Sequence, residues 1–223
     1  MTRKLCFEAI LKFTAGVFLV GALLFLPAGT VDYPGGKLLM GILFIPMFLA
    51  GLVMMAVNPS LLRSRLNAKE KEREQDLVVK LSGLMFLAGF ILAGLDFRFG
   101  WSKLSFVVNC VGAVLFLLAY VLYAEVLREN TWLSRTIEVQ EGQTVVSTGL
   151  YGIVRHPMYA VTLLLFLSMP LVLGSIPALL VFLCYPFIIA KRIRNEEEVL
   201  SRDLPGYKEY LQKVRWRLIP YIW

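Results

Sequence analysis

The chain contains one histidine, and it lies in a short segment whose residue types could bind an anion. His156 stands between Arg155 and Pro157 in the sequence RHPMY at 155–159. Pro157 suits the first position of a helix, because its missing N–H would have no partner there in any case. His156 then lies at the helix N-cap, where unpaired backbone N–H groups and the positive end of the helix attract an anion. A lone histidine is more often a packed or interfacial residue, so this segment needs a partner to define a site.

A second polar segment, RIRNEE at 192–197, carries two adjacent carboxylates. It continues directly from apolar sequence, so we expect it to lie on a helix that leaves the bilayer. Residues four apart share a helix face, which groups Arg192, Glu196 and Leu200 and places Ile193 beside Glu197. Neighbouring carboxylates repel each other and are costly to desolvate at a membrane boundary. They indicate a cation-binding pair, with a solvated helix end as the alternative interpretation.

The apolar stretch 157–190 connects the two polar segments and is too long for one untilted span. Its middle contains four residues that break or cap helices, namely Pro170, Gly174, Ser175 and Pro177. We therefore predict two short antiparallel helices joined by a tight turn, and the alternative is one long kinked helix. A hairpin returns the chain to its starting side, so the segment 155–159 must lie near Glu196 and Glu197.

An anion-binding helix start that faces a carboxylate pair suits a zwitterionic ligand with a further positive centre and hydroxyl groups. S-adenosylmethionine is one such molecule. Its carboxylate would meet Arg155, His156 or the free N–H groups, and its ammonium and ribose hydroxyls would meet Glu196 or Glu197. The residues are compatible with this cofactor but do not require it.

The composition places both segments on a membrane protein. Of the 223 residues, 58% are apolar and 17% are charged, whereas a soluble domain carries about 25% charged residues. Four further apolar runs approach the ~20 residues that a spanning helix needs: 10–27, 38–57, 77–95 and 104–127. With the hairpin they predict an all-α integral membrane protein of about six transmembrane helices. Disorder, a nucleic-acid-binding domain and a soluble Rossmann enzyme are excluded.

The basic residues predict the orientation of the chain. If the N-terminus is cytoplasmic, all of the 23 basic residues except Lys37, Arg98 and Lys103 lie on the cytoplasmic side, as the positive-inside rule requires. Both termini are therefore expected in the cytoplasm, in a bacterial inner membrane or the endoplasmic reticulum. The net charge of +7 then faces anionic lipid headgroups rather than nucleic acid. The first apolar run is interpreted as a retained helix rather than a cleaved signal peptide.

Two regions follow from this topology. Residues 1–129 form four N-terminal spans with a cytosolic loop at 58–80, in which the alternating run KEKERE at 69–74 is typical of a solvated helix. Residues 130–223 form a C-terminal catalytic region with a cytosolic loop, the hairpin 157–190 and a cytosolic tail. In the tail, four aromatic residues are typical of a headgroup anchor, with a lid over the site as the alternative: Tyr207, Tyr210, Trp216 and Trp223.

The C-terminal region resembles the isoprenylcysteine carboxyl methyltransferase family, and membrane phospholipid methyltransferases are similar in the same region. The resemblance covers 130–223 and rests on RHPMY at 155–159, RIRNEE at 192–197, LPGYKEY at 204–210 and VRWRLIP at 214–220. Each motif alone is a weak signal, whereas their order and their separation by a broken apolar hairpin are fairly specific. Leu150 stands where family members often have proline and Ala160 where glycine is common, and both affect the fine shape of the pocket.

The resemblance implies an S-adenosylmethionine-dependent methyltransferase with a C-terminal cytosolic cofactor pocket and no metal. By motif position, the catalytic residues are Arg155, His156 and Glu197. The cofactor site implied in the same way consists of Gly149, Tyr151, His156, Pro157, Tyr159, Arg192, Glu196 and Glu197. Within it, Gly149 and Tyr151 shape the approach loop and Arg192 supports the carboxylates.

The methyl acceptor is less defined than the cofactor. Because a sulfonium is already activated, methyl transfer needs mainly in-line positioning and exclusion of water. A carboxylate acceptor needs no base, which favours O-methylation of a lipophilic, prenylcysteine-like substrate drawn from the membrane lipids. A phospholipid amine N-methyltransferase and an NADPH-dependent enzyme of the sterol-reductase type are the alternatives. A transporter or scaffold would carry charges inside its spans, whereas charges such as Glu125 lie near span ends.

Overall fold

The computed structural model describes residues 3–66, 73–133 and 139–223, and these ranges contain helices but no strand. The four N-terminal apolar runs form α1 (Arg3–Ala28), α2 (Pro34–Val57), α4 (Arg73–Phe99) and α5 (Phe106–Glu129), with the short α3 (Pro59–Leu66) after α2. Each long helix contains nearly all of its predicted run and extends past at least one end, because flanking polar residues continue the helix. The predicted all-α class is therefore confirmed for the described part of the chain. Residues 69–72 of the predicted solvated helix lie outside it.

Five helical segments in the described ranges are long and apolar enough to cross a membrane. They are Leu5–Ala28, Pro34–Val57, Leu77–Phe99, Phe106–Glu129 and Ile176–Asp203. Pro157–Leu173 is apolar but has only 17 residues, so a count of six spans stays a prediction, as does the orientation of the termini. Large apolar side chains such as Phe18 and Val121 are 73% and 67% exposed, as expected of surfaces that face lipid. The protein is an integral membrane protein.

The predicted hairpin is present. Helix α6 (Pro157–Leu173) ends at Gly174, whose φ of 69° is left-handed, a conformation that glycine adopts without steric cost. Ser175 then caps α7 (Ile176–Phe182) by accepting a hydrogen bond from the backbone N–H of Ala178 at 3.2 Å. The tight turn is thus confirmed over the kinked-helix alternative, although the second limb is divided into α7 and a further helix that begins at Tyr185.

The second limb of the hairpin continues beyond residue 190. After α7 it forms α8 (Tyr185–Asp203), and α9 (Tyr207–Lys213) follows a turn at Gly206. Helix α8 begins apolar and ends polar, so it carries the segment 192–197 out of the apolar region on a rigid element. The expectation that these residues lie on a helix is confirmed.

Close backbone contacts join the hairpin to the N-terminal helices. A Cβ added to Gly112 of α5 would lie 2.7 Å from the backbone nitrogen of Val172 in α6. The Asn109 side chain donates to the Val172 carbonyl at 2.8 Å, and the Tyr33 hydroxyl donates to the Leu173 carbonyl at 2.7 Å. The end of α6 is therefore fixed by α5 and by the residue that precedes α2.

We expect Gly112→Ala to lower the free energy of unfolding by about 1–3 kcal/mol, because the added methyl group overpacks the contact between α5 and α6. Gly83→Ala is the matched control, since nothing lies within 4 Å of a Cβ added there. Thermal unfolding of both variants in detergent measures the difference. Equal melting temperatures for the two variants would contradict the close packing of α5 on α6.

Candidate functional site

A cleft lies where the hairpin opens, at the start of α6 and the end of α8. Its walls also include α9 and loop residues between 130 and 133 and between 143 and 146. Of the residues that the sequence assigned to the site, those that line the cleft are Arg155, His156, Tyr159, Arg192, Glu196 and Tyr151. The assigned residues Gly149, Pro157 and Glu197 are not part of its lining.

His156 occupies the N-cap of α6 and Pro157 the first turn, as the sequence predicts. His156 is 5% exposed, and its ring lies 5.7 Å from that of Tyr159 in a stacked arrangement. The backbone N–H of His156 donates to the carbonyl of Arg217 at 2.9 Å. The residue is therefore held from both the helix and the C-terminal tail.

Glu197 is the centre of a buried ionic network. Its carboxylate accepts hydrogen bonds from Arg155 Nε at 2.7 Å and Arg217 Nε at 2.8 Å, and His156 Nε2 lies 3.2 Å from it. The residue is only 7% exposed, so these donors must compensate a charge that water does not reach. This geometry suits an anchor for the site more than a direct ligand-binding group. The assignment of Glu197 to the cofactor and to catalysis stays a prediction.

Arg155 extends this network to the tail. Its Nη1 donates to the carbonyls of Val214 and Arg215, each at 2.9 Å, and its backbone N–H donates to the carbonyl of Trp216 at 2.8 Å. We call residues 214–217 the strap. Arg155 binds the strap through Nη1 and Glu197 through Nε, so it connects the VRWRLIP motif to the RIRNEE motif.

Glu196 has a different environment from its neighbour. It lines the cleft and accepts a hydrogen bond from the Tyr159 hydroxyl, to which Arg192 Nε donates at 2.9 Å. Arg192 thus reaches this carboxylate through Tyr159. No second donor to Glu196 occurs among the residues that the structure describes. Of the two adjacent glutamates, Glu196 is the one with remaining capacity to bind a ligand.

The approach loop is positioned by the end of α5. Gly149 starts a 3₁₀ turn (Gly149–Gly152) with φ of 50°, and a Cβ there would lie 1.8 Å from the carboxylate of Glu129. That carboxylate accepts the backbone N–H of Leu150 at 3.0 Å. Gly149 therefore permits the close approach of Glu129, while the cleft itself is lined by Tyr151.

The sequence assigned Tyr207 and Tyr210 to a headgroup anchor, with a lid over the site as the alternative. Both line the cleft and are 4% and 5% exposed, so the anchor interpretation is wrong for these two residues and their position fits the alternative. The turn at Gly206 folds α9 back onto the site, where the Tyr210 hydroxyl donates to the Tyr151 carbonyl at 2.7 Å. The sequence feature that indicates this position is the spacing of three residues between the two tyrosines, directly after the Pro-Gly pair that turns the chain. For Trp216 and Trp223 the anchor stays a prediction.

Burial raises the pKa of the Tyr207 hydroxyl, and the negative charges of Glu197 and Glu196 raise this pKa further. The hydroxyl therefore stays protonated at neutral pH.

In the described ranges, no group of three or more His, Cys, Asp and Glu side chains is arranged to hold a metal ion.

Residues 107–204, from α5 past the end of α8, match the family model described as phospholipid methyltransferase. The match confirms the resemblance to membrane methyltransferases, the family that includes isoprenylcysteine carboxyl methyltransferase-like proteins. The curated relative Delta(14)-sterol reductase TM7SF2 of Mus musculus is 29% identical over 91 residues. The matched stretch is 40% of this chain and 22% of that reductase, so the chain spans only about a fifth of the relative's length.

Glu197→Gln should lower the free energy of unfolding by about 3 kcal/mol, because it leaves Arg155 and Arg217 without their buried counter-charge. Tryptic cleavage after Arg217 should become faster as the strap loosens, and thermal unfolding in detergent should show the lost stability. Glu198→Gln is the matched control, since Glu198 is the next residue on α8 and is exposed. Equal stability and equal cleavage rates for the two variants would contradict the anchoring role of Glu197.

Proposed function

We propose that this protein is an S-adenosylmethionine-dependent methyltransferase of the membrane that acts on a lipophilic acceptor. The observation that carries the proposal is the cleft, in which acidic and basic side chains meet at the polar end of a spanning helix. The cleft lies largely within the stretch that matches the phospholipid methyltransferase model.

The charges of the cleft fit the polar groups of this cofactor. Glu196 would bind its ammonium or hydroxyl groups, and the carboxylate would lie beside Arg155 and His156 at the start of α6. Arg155 is already fixed by Glu197 and the strap, so its charge is held in place before a ligand arrives. When bound, the cofactor supplies an activated methyl group. The chain's own residues orient it and exclude water.

For the acceptor we propose the carboxylate of a prenylcysteine-like lipid, which would make the reaction an O-methylation. The support is the hydrogen bonding of the candidate bases. Glu197 is engaged by two arginines, His156 Nε2 lies against Glu197, and Glu196 accepts the Tyr159 hydroxyl. Glu197 and His156 are thus engaged within the protein, and Glu196 is the residue proposed to bind the cofactor, so no further base is left for an amine, whereas a carboxylate needs no deprotonation. A phospholipid amine is the second candidate, favoured by the description of the matching family model.

A reductase function rests on the similarity to the Mus musculus protein. An NADPH-binding site needs cations for three phosphate groups. In the described part of the cleft, the lysines and arginines of the lining are Arg155 and Arg192, which are fewer cations than three phosphate groups need. This charge distribution favours S-adenosylmethionine over NADPH.

Calorimetric titration of the purified protein should show micromolar binding of S-adenosylmethionine or of its demethylated product, and weaker or no binding of NADPH. Glu196→Gln should weaken the binding by about tenfold, because it removes a charged hydrogen bond worth ~1.5 kcal/mol. His156→Ala should also weaken it, while Glu198→Gln should leave it unchanged. A folded protein that binds NADPH but not S-adenosylmethionine would contradict the proposal.

Incubation with methyl-labelled cofactor and membrane lipids identifies the acceptor. Two acceptors are added in parallel: a prenylated cysteine derivative with a free carboxylate and a phospholipid with a primary amine headgroup. We expect the label in the first, released as methanol by mild base as from an ester. A base-stable label in the phospholipid headgroup would instead establish amine methylation.

A further inference from the structure

The Tyr207 hydroxyl is a buried polar group without a hydrogen-bond partner among the described residues. Tyr207 is 4% exposed and lines the cleft. A buried hydroxyl that makes no hydrogen bond costs ~1–3 kcal/mol of desolvation, and such groups in native structures call for an explanation. A ligand in the cleft is the partner that the position of this hydroxyl indicates.

The neighbouring Tyr210 also lines the cleft, but its hydroxyl does have a hydrogen-bond partner. The Tyr210 hydroxyl donates to the Tyr151 carbonyl at 2.7 Å, and thereby ties α9 to the approach loop. The two rings lie 5.7 Å apart. Tyr210 therefore has a structural hydrogen bond within the protein, whereas Tyr207 packs through its ring and leaves its hydroxyl without a partner among the described residues.

The second group of the cleft with unused capacity is Glu196. An ionised carboxylate only accepts hydrogen bonds, whereas a protonated phenol can donate one. A ligand ammonium has no acceptor to offer the phenol, and a ligand carboxylate would be repelled by Glu196. A ligand with hydroxyl groups suits both residues, because hydroxyl groups can donate to Glu196 and accept from Tyr207.

We infer that Tyr207 and Glu196 together bind a hydroxyl-bearing part of the ligand, and that the ribose diol of a nucleoside cofactor is the matching group. This inference rests on the proposed S-adenosylmethionine site and assigns one subsite within it. It makes Tyr207 a ligand-binding residue of α9, outside the stretch that matches the family model.

The test is the affinity of Tyr207→Phe for S-adenosylhomocysteine, measured by calorimetry in detergent. The variant keeps the ring and removes only the hydroxyl, so we expect ~3- to 10-fold weaker binding. Its melting temperature without ligand should equal or exceed that of the parent, because the lost hydroxyl had no partner. Tyr210→Phe should instead melt lower, since it loses the bond to Tyr151.

Tyr221→Phe is the matched control, because Tyr221 is 87% exposed, and it should change neither property. The ribose assignment is tested with the 2′-deoxy and 3′-deoxy forms of the same ligand. The difference between the parent and Tyr207→Phe should vanish for at least one of them, since that ligand lacks the hydroxyl that Tyr207 binds.

The outcomes separate this inference from the proposed function. If the parent binds the ligand and Tyr207→Phe binds it equally well, the inference is overturned and the proposed function stands. An equal loss with the ribose and both deoxy ligands would overturn the ribose assignment, since the hydroxyl would then contact another group. If the folded parent does not bind the ligand at all, both the proposed function and the inference fail.

Discussion

The site depends on the compensation of one buried negative charge. Glu197 lies on α8, and its partners come from the start of α6 and from the strap, so a single carboxylate links three parts of the chain. Each partner also holds backbone, since Arg155 binds the strap carbonyls and the N–H of His156 donates to Arg217. Removing one partner of such a network leaves an uncompensated buried charge, which is strongly destabilising. The network thus joins the start of α6, the end of α8 and the strap beside the cleft.

The network in turn requires the start of α6 and the end of α8 to lie side by side. Gly174 reverses the chain, and the end of α6 is fixed by Asn109, Gly112 and Tyr33. These contacts lie at the opposite end of the hairpin from the cleft. The N-terminal helices therefore influence the site by setting the position of α6, although none of their described residues lines the cleft.

Helix capping, helical spacing and turn residues were enough to predict the helices and the turn that position the site. They did not predict which side chains contact each other inside it. Pro157 placed the N-cap at His156, helical spacing grouped Arg192 with Glu196, and the Pro and Gly residues after position 169 located the turn. The different environments of Glu196 and Glu197 depend on Arg217, which is 20 residues away from Glu197, and no local pattern reveals that pairing. The position of Tyr207 and Tyr210 stayed open between anchor and lid for the same reason, because an aromatic, basic segment has the same sequence pattern whether it contacts lipid or folds back onto the protein.

The strap lies beyond the last helix that the structure describes, since α9 ends at Lys213. A chain that stopped at Lys213 would keep the sequence of every described helix, but the Glu197 carboxylate would lack Arg217, and Arg155 would lack the two carbonyls that fix its guanidinium. A few residues that belong to no helix thus complete the ionic network on which the site depends.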